Sequence, residues 1–351
     1  MRLLLTLLVS LIVLVGMLLL LPAPIDPAEW TPDPDPGLTG DFAANDKLAA
    51  AERLLVDVGA GPEDVACGTD GARYTGFQDG RIVRFDDEGN HQELADTNGR
   101  PLGMQLDGNG RLIVADAVRG LLAVSADGAV EVLTDSVDGS KMLFVNDLDI
   151  AADGTIWFSD SSAHRDYHHT FHDFLEGRPS GRLLSYDPAS GDTAVHMEDL
   201  FFANGVALGP EDDYVLVNET GLGRINRLWL KGKKAGQRDL FFSGLPGTPD
   251  NLFFNGRETF WVAMPALRAG IDSLAGRPLL RKILSRLPQG ILASSQDRYS
   301  FVVGLGLDGR VKHNLQDTGR GFTDITSASE CDGSLYLGSL SIPAVARYPL
   351  R

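Results

Sequence analysis

Residues 141–162 read KMLFVNDLDIAADGTIWFSDSS. Polar Asn146 and Asp147 open the stretch, Leu148 and Ile150 alternate with acids, Asp153-Gly154 turns the chain, and Ile156, Trp157 and Phe158 resume. Period-2 alternation broken by Asp-Gly is a β-hairpin signal. The pattern returns as PEDVACGTDGARYTGFQDGRIVRFDDEG from Pro62, PLGMQLDGNGRLIVADAVRGLLAVSADG from Pro101, FANGVALGPEDDYVLVNETGLGRINRLWL from Phe202, PDNLFFNGRETFWVAM from Pro249 and TDITSASECDGSLYLGSLSIPAVARYPL from Thr323. Units of roughly 40 residues with up to four strands each predict an all-β fold, a six-bladed β-propeller. Residues 51–58 (AERLLVDV) belong to no unit. They are expected to add the outer strand of the last blade and close the ring.

The chain has 351 residues, 40 of them Gly, and a formal net charge of −17. That charge excludes nucleic acid as a partner, because phosphate binding needs a basic face. It is compatible with cation binding and also with a plain acidic surface. Cys67 and Cys331 form no C-x-x-C motif, so zinc and redox motifs are unsupported. They lie near the two ends of the repeat array, which leaves open a disulfide in an oxidising compartment or two unpaired thiols.

Residues 3–21 (LLLTLLVSLIVLVGMLLLL) carry no charge and follow Arg2. Their length nearly spans a hydrocarbon core. A cleaved signal peptide is the rival reading, but its apolar run is shorter and ends in a small-x-small site, whereas prolines follow here. The expectation is an N-terminal transmembrane helix, a signal anchor over residues 1–21, with the propeller on the extracytoplasmic side. Residues 22–40 hold Pro22, Pro24, Pro27, Pro32, Pro34 and Pro36 and read as a stiff linker. Residues 41–351 are then the propeller.

Two insertions break the repeat. Residues 163–180 hold His164, His168, His169 and His172. They read as a rim loop of the pocket or as a solvated loop, and His168 and His172 have the i, i+4 spacing of a metal pair. Residues 265–291 space Leu279, Leu280, Ile283, Leu284 and Leu287 as a helix, with Arg277, Arg281, Lys282 and Arg286 between. Such a helix can cap a pocket as a lid or lie on a membrane, and the lid is the preferred expectation.

The blade openings carry the chemistry. Glu63, Asn146, Asn204 and the pair Asp250-Asn251 open blades one, three, four and five. In a propeller the innermost strands line the central channel, so these side chains can meet at one mouth. Two carboxylates with two or three amides make a hard, oxygen-rich set, suited to Ca²⁺ and not to Zn²⁺. Each residue alone is as easily a turn cap. The same placement in four blades favours the metal.

From about residue 61 to 348 the chain resembles the strictosidine-synthase-like branch of the calcium propellers. That branch includes the adipocyte plasma-membrane-associated proteins and is related to paraoxonases and gluconolactonases. The strings that carry the resemblance are FVNDLDIAADGTIWFSDSS, LEGRPSGRLLSYDP, FFANGVALGPEDDYVLVNET, RLWLKGKKAGQ and LPGTPDNL. The resemblance implies a channel Ca²⁺ held by Glu63, Asn146, Asn204 and Asp250, with Asn251 adjacent. Leu102 stands where paraoxonase-like members place a His and gluconolactonase-like members an Asn, although Arg100 is near. The blade-six stretch TDITSASECDG offers Thr326 or Ser327 where the plant synthases use a Glu, which argues against amine–aldehyde condensation. What remains is a hydrolase of small esters or lactones. Asp250 and Asn204 are its candidate catalytic residues, and Arg100, His164 and His168 its candidate pocket residues. Whether Asp250 is base or nucleophile stays open, as does a non-catalytic binding propeller with structural calcium. Asn218-Glu219-Thr220 matches a glycosylation acceptor.

Overall fold

The computed structural model describes residues 5–6, 9–10, 13, 16, 22–294 and 298–350. Six antiparallel four-stranded sheets follow one another around a channel. Their innermost strands are Val65–Cys67, Pro101–Leu106, Val145–Ile150, Ala203–Leu208, Leu252–Phe254 and Ile325–Cys331. The hairpin of residues 145–160 pairs Leu148 with Phe158 and Ile150 with Ile156. Gly154, at φ 91°, takes the left-handed position that its turn demands. The sixth sheet is completed by Glu52–Leu54, which pairs with Val345–Pro349. The first strand of the domain thus closes the ring on the last blade, as residues 51–58 suggest.

Alternating apolar residues of neighbouring blades make the core. Ile113 and Leu121 of blade two pack with Leu148 and Phe158 of blade three, and Leu216 and Ile225 of blade four with Phe260 and Phe301 of blade five. Similar clusters join blades one and two, three and four, five and six, and six and one. Each blade therefore buries its faces only against its two neighbours, and the ring is stable only when shut. A disulfide between Cys67 and Cys331, with Cα atoms 5.9 Å apart, bonds blade one to blade six at that seam.

The proline-rich segment is no free tether. Ile25 and Phe42 are buried. The backbone N–H groups of Asp26 and Ala28 donate to Glu176, at its carboxylate and its carbonyl. Trp30 stacks edge-on to Phe201 at 5.2 Å, and the Arg281 guanidinium sits 4.5 Å from its ring centre. The composition signals an extended chain correctly. What it cannot signal is that Arg268 and Arg281, more than 200 positions away, donate to the carbonyls of Asp33 and Ala28. Among the described residues no helix is long and apolar enough to cross a membrane. The expected anchor over residues 3–21 lies mostly outside the described residues.

Both insertions fold over one end of the channel. Residues 163–180 contribute helix α1 (Thr170–Glu176). The blade-five insertion forms α2 (Ala269–Asp272), α3 (Pro278–Leu284) and α4 (Gln289–Ser294) rather than one helix, with Pro288 standing before α4. Arg281, fully buried, donates to the carbonyls of Leu175 and Glu176 in α1 and of Ala28 and Ala275. Replacing it by Met takes a donor from four carbonyls at once, of which that of Glu176 keeps the Ala28 N–H. Arg281→Met is expected to cost about 2–4 kcal/mol and to speed proteolysis within residues 22–40 and 265–294. Limited proteolysis with mass mapping checks this, and an unchanged cleavage pattern would count against the clamp.

Candidate functional site

Four innermost strands open on a register shift, between Pro101 and Met104, Val145 and Leu148, Ala203 and Val206, and Ile325 and Ala328. A bulge takes residues out of the ladder and re-aims their side chains. Leu102, Asn146, Asn204 and Thr326 are the residues released, each at its blade's opening. In blades one and five Glu63 and Asp250 stand just before the first strand. Gly205 is required by the crowding here. Its N–H donates to the Asp250 carbonyl at 3.0 Å, and a Cβ would lie 2.5 Å from that oxygen and 2.4 Å from the Leu252 nitrogen.

Glu63, Asn146, Asn204 and Asp250 meet on the floor of a cavity of about 570 Å³. All four, with Asn251, are buried. The Nδ2 of Asn204 donates to Asp250 Oδ1 at 2.6 Å, that of Asn251 to Glu63 Oε2 at 3.2 Å, and that of Asn146 to Ser161 Oγ at 2.9 Å. Asn218, on the second strand of blade four, donates to the Asp250 carbonyl. The Oδ1 atoms of all four asparagines lack a hydrogen-bond partner. Buried acceptors are rarely left so, which marks four oxygens in need of a ligand. No three His, Cys, Asp or Glu side chains among the described residues are grouped to hold a metal by themselves. A cation at this floor would have to draw on amide oxygens as well as on the carboxylates.

Burial raises Glu63 well above the usual carboxylate range, and the charges of Asp250 and Asp64 push it further. Burial likewise lifts Asp250 to about 7, with Asp64 adding to the rise while the Asn204 amide pulls the other way. Arg100 is buried with no hydrogen bond from Nε, Nη1 or Nη2, and its charge acts on both acids. It stands behind the floor rather than on the cavity wall.

The walls are apolar. Leu102, Phe144 and Phe202 rise from the blades, Phe171 and Phe174 come from α1, and Ile271, Leu274, Leu284 and Leu292 from the blade-five insertion. That insertion is therefore a lid over the pocket. The histidines expected at the rim stand elsewhere. His164 Nε2 lies 3.4 Å from Glu176 Oε2, and His168 packs on Tyr167. His172 Nε2 is 3.0 Å from the Ser285 carbonyl and ties α1 to the lid, which leaves no His168–His172 metal pair. None of them lines the cavity, because α1 turns its phenylalanines inward instead.

Sequence reasoning missed the roles of Asn218 and of the pair Asp64 and Asp147. Asn218 reads as a glycosylation acceptor, yet it is wholly buried and bonded to Asp250, out of reach of modification. Asp64 and Asp147 are adjacent to the residues singled out and face the opposite mouth, a cavity of about 230 Å³ that also receives Asn251. They staple blades together, Asp64 accepting from Met104 N–H and Asp147 from Val206 N–H. Alternation by 2 along the strand was the available signal. At the blade-six opening Thr326 donates to the Glu63 carbonyl, so no carboxylate replaces a missing Glu there.

Comparison with known proteins follows from this geometry. The strictosidine synthase family profile matches residues 146–233, and the strictosidine synthase-like N-terminal profile matches residues 40–85. Adipocyte plasma membrane-associated protein of Rattus norvegicus is 36% identical over 366 aligned positions, covering 96% of either chain. The chain belongs to the strictosidine synthase-like family. Within this family, strictosidine synthase-like protein 6 of Arabidopsis thaliana is 35% identical and covers 84% of this chain and 80% of its own. A gluconolactonase of Xanthomonas campestris shares the fold of this strictosidine synthase-like propeller at TM-score 0.63 and 18% identity, over 95% of this chain and 99% of its own. A calcium-binding regucalcin of Agrobacterium tumefaciens does so at TM-score 0.60 and 12% identity, over 92% and 96%.

Proposed function

We propose that the protein is a calcium-dependent hydrolase of small, apolar esters or lactones. The observation that supports this most is the pairing of two buried acids, Glu63 and Asp250, with the unpartnered amide oxygens of Asn146 and Asn204 at the base of an apolar cavity, backed by those of Asn218 and Asn251. Glu63, Asn146, Asn204, Asp250 and Asn251 would hold the metal. Carboxylates and amide oxygens are the ligands that a hard cation of this size takes. Bound there, calcium would supply positive charge against the oxygen on which negative charge develops.

The rest falls to the chain's own side chains. Aromatic walls from Phe144, Phe174 and Phe202 would seat an acyl or aryl group and keep bulk water out. Sugar lactones fit poorly, because each buried hydroxyl needs a partner and these walls offer few. Asn204 holds Asp250 in place through its 2.6 Å hydrogen bond. A carboxylate whose proton leaves near neutrality is suited to take a proton from an attacking water.

A second reading, a binding propeller with structural calcium, is favoured by Leu102 and by the absence of imidazole from the cavity lining. Hydrolysis of an aryl ester and lactone panel, with calcium and after chelation, separates the two. Turnover that disappears on chelation while the fold persists supports the hydrolase. A lowered melting temperature with no turnover in either state supports the binding role.

Protons and calcium should compete at this floor. Above about pH 7 Asp250 is ionised and free to bind metal, whereas below it the proton must first be expelled. The rise in melting temperature on adding calcium is therefore expected to be larger at pH 8 than at pH 5.5. Scanning fluorimetry at both pH values checks it, and equal rises would contradict these acids as ligands.

A further inference from the structure

We propose that the outer surface of the lid is a docking face for an anionic lipid bilayer, independent of the calcium reading. Beyond residue 21, the exposed large apolar side chains include Leu279, Ile283, Leu287 and Ile291, which recur at every fourth position. Leu279 is 61% and Ile291 53% exposed. Fourfold spacing lays Leu279, Ile283 and Leu287 along one side of α3 and its following turn. The other side faces inward, with Arg281 and Ser285 buried and Leu284 on the cavity wall. Leu279, Ile283 and Leu287 thus form an outward stripe on the side of the lid opposite its buried face.

Charge selects the occupant. Residues 273–296 contain no acid in a chain with 48 acidic residues, and of their cations Arg277, Lys282 and Arg286 lie outside the buried Arg281, with Lys282 3.7 Å from Asp26 of the strap. A basic, apolar patch on a strongly acidic protein suits an anionic surface, and basic residues beside an apolar stripe are the pattern of a helix lying in a lipid interface. Placement agrees. Ile25 is buried against Leu175 and Leu292, so the chain leaves the strap at the lid itself. The residues immediately upstream, 3–21, are uncharged and apolar in sequence.

The test uses the full chain reconstituted in vesicles whose lipids are brominated near the headgroup. A tryptophan is placed by Leu287→Trp, with Ile283→Trp as a second probe should the first fail to fold by circular dichroism. The added emission is expected to be quenched in phosphatidylserine-containing vesicles. The quenching is expected to be lost when Arg277, Lys282 and Arg286 are all changed to Gln. No quenching beyond the parent protein's four tryptophans, with the fold intact, would overturn the proposal. Equal quenching in neutral vesicles would overturn the anionic surface as partner. Shielding from aqueous iodide without quenching by bromolipid would assign the stripe to a second copy of the chain and overturn it too.

Discussion

Asp250→Asn is expected to make the calcium-free protein more stable at pH 8 while abolishing its response to calcium. The two effects have one cause. Asp250 is buried, and burial lifts its pKa from 3.8 to about 7. Between those values the folded chain holds a proton that the unfolded chain has released, so its contribution to stability falls as pH rises. Above about 7 the penalty is present in full, on the order of a few kcal/mol for a buried carboxylate that Arg100 and the Asn204 amide only partly compensate. Asn carries no charge and escapes it. Calcium bound at this floor would offset the same penalty in the parent protein. At a concentration about a thousandfold above its dissociation constant it would add about 4 kcal/mol, on the order of 10 °C. Asn at position 250 removes a carboxylate ligand, so that rise should vanish, and ester turnover should fall by at least about a hundredfold. Melting curves in chelator and in calcium read all of this. An Asn variant that loses stability in chelator, or still gains from calcium, would contradict the assignment of Asp250.

The second large effect is at the seam. Changing Cys67 and Cys331 together to Ser is expected to cost about 2–5 kcal/mol, because the bond closes a very long loop in the unfolded chain. The bridged residues are 264 positions apart. The same seam is also clasped by the strand Glu52–Leu54 on the edge of blade six, by an apolar cluster and by the Arg73–Asp332 ion pair, so the loss should be partial. Melting temperature should fall by about 5–10 °C, and the variant should no longer respond to reductant while the parent does. A variant that melts with the parent would place ring closure in the blade contacts alone.

The blades were legible because a period-2 pattern broken by turn residues is local, and it recurs six times. Closure of the ring by residues 51–58 followed from counting one strand too few. The floor was partly legible, since Glu63, Asn146, Asn204 and Asp250 sit at the same place in different repeats. Asn218 was not, because it lies on a second strand, outside the aligned openings, inside a string that carries another meaning. The apolar character of the pocket was hidden for a different reason. Its walls come from Phe171, Phe174 and Leu292, in insertions that obey no repeat and that Arg281 ties together through carbonyls on α1 and the strap. Long-range partners of that kind leave no periodic trace.

The most direct test of the central claim is a calorimetric titration of calcium into chelator-stripped full-length protein at pH 8, with aryl ester turnover read on the same samples. Turnover that rises in step with occupancy of a site lost in Asp250→Asn is the predicted result. Calcium binding that saturates with no turnover at any occupancy would contradict the hydrolase and leave the metal a structural part of the channel.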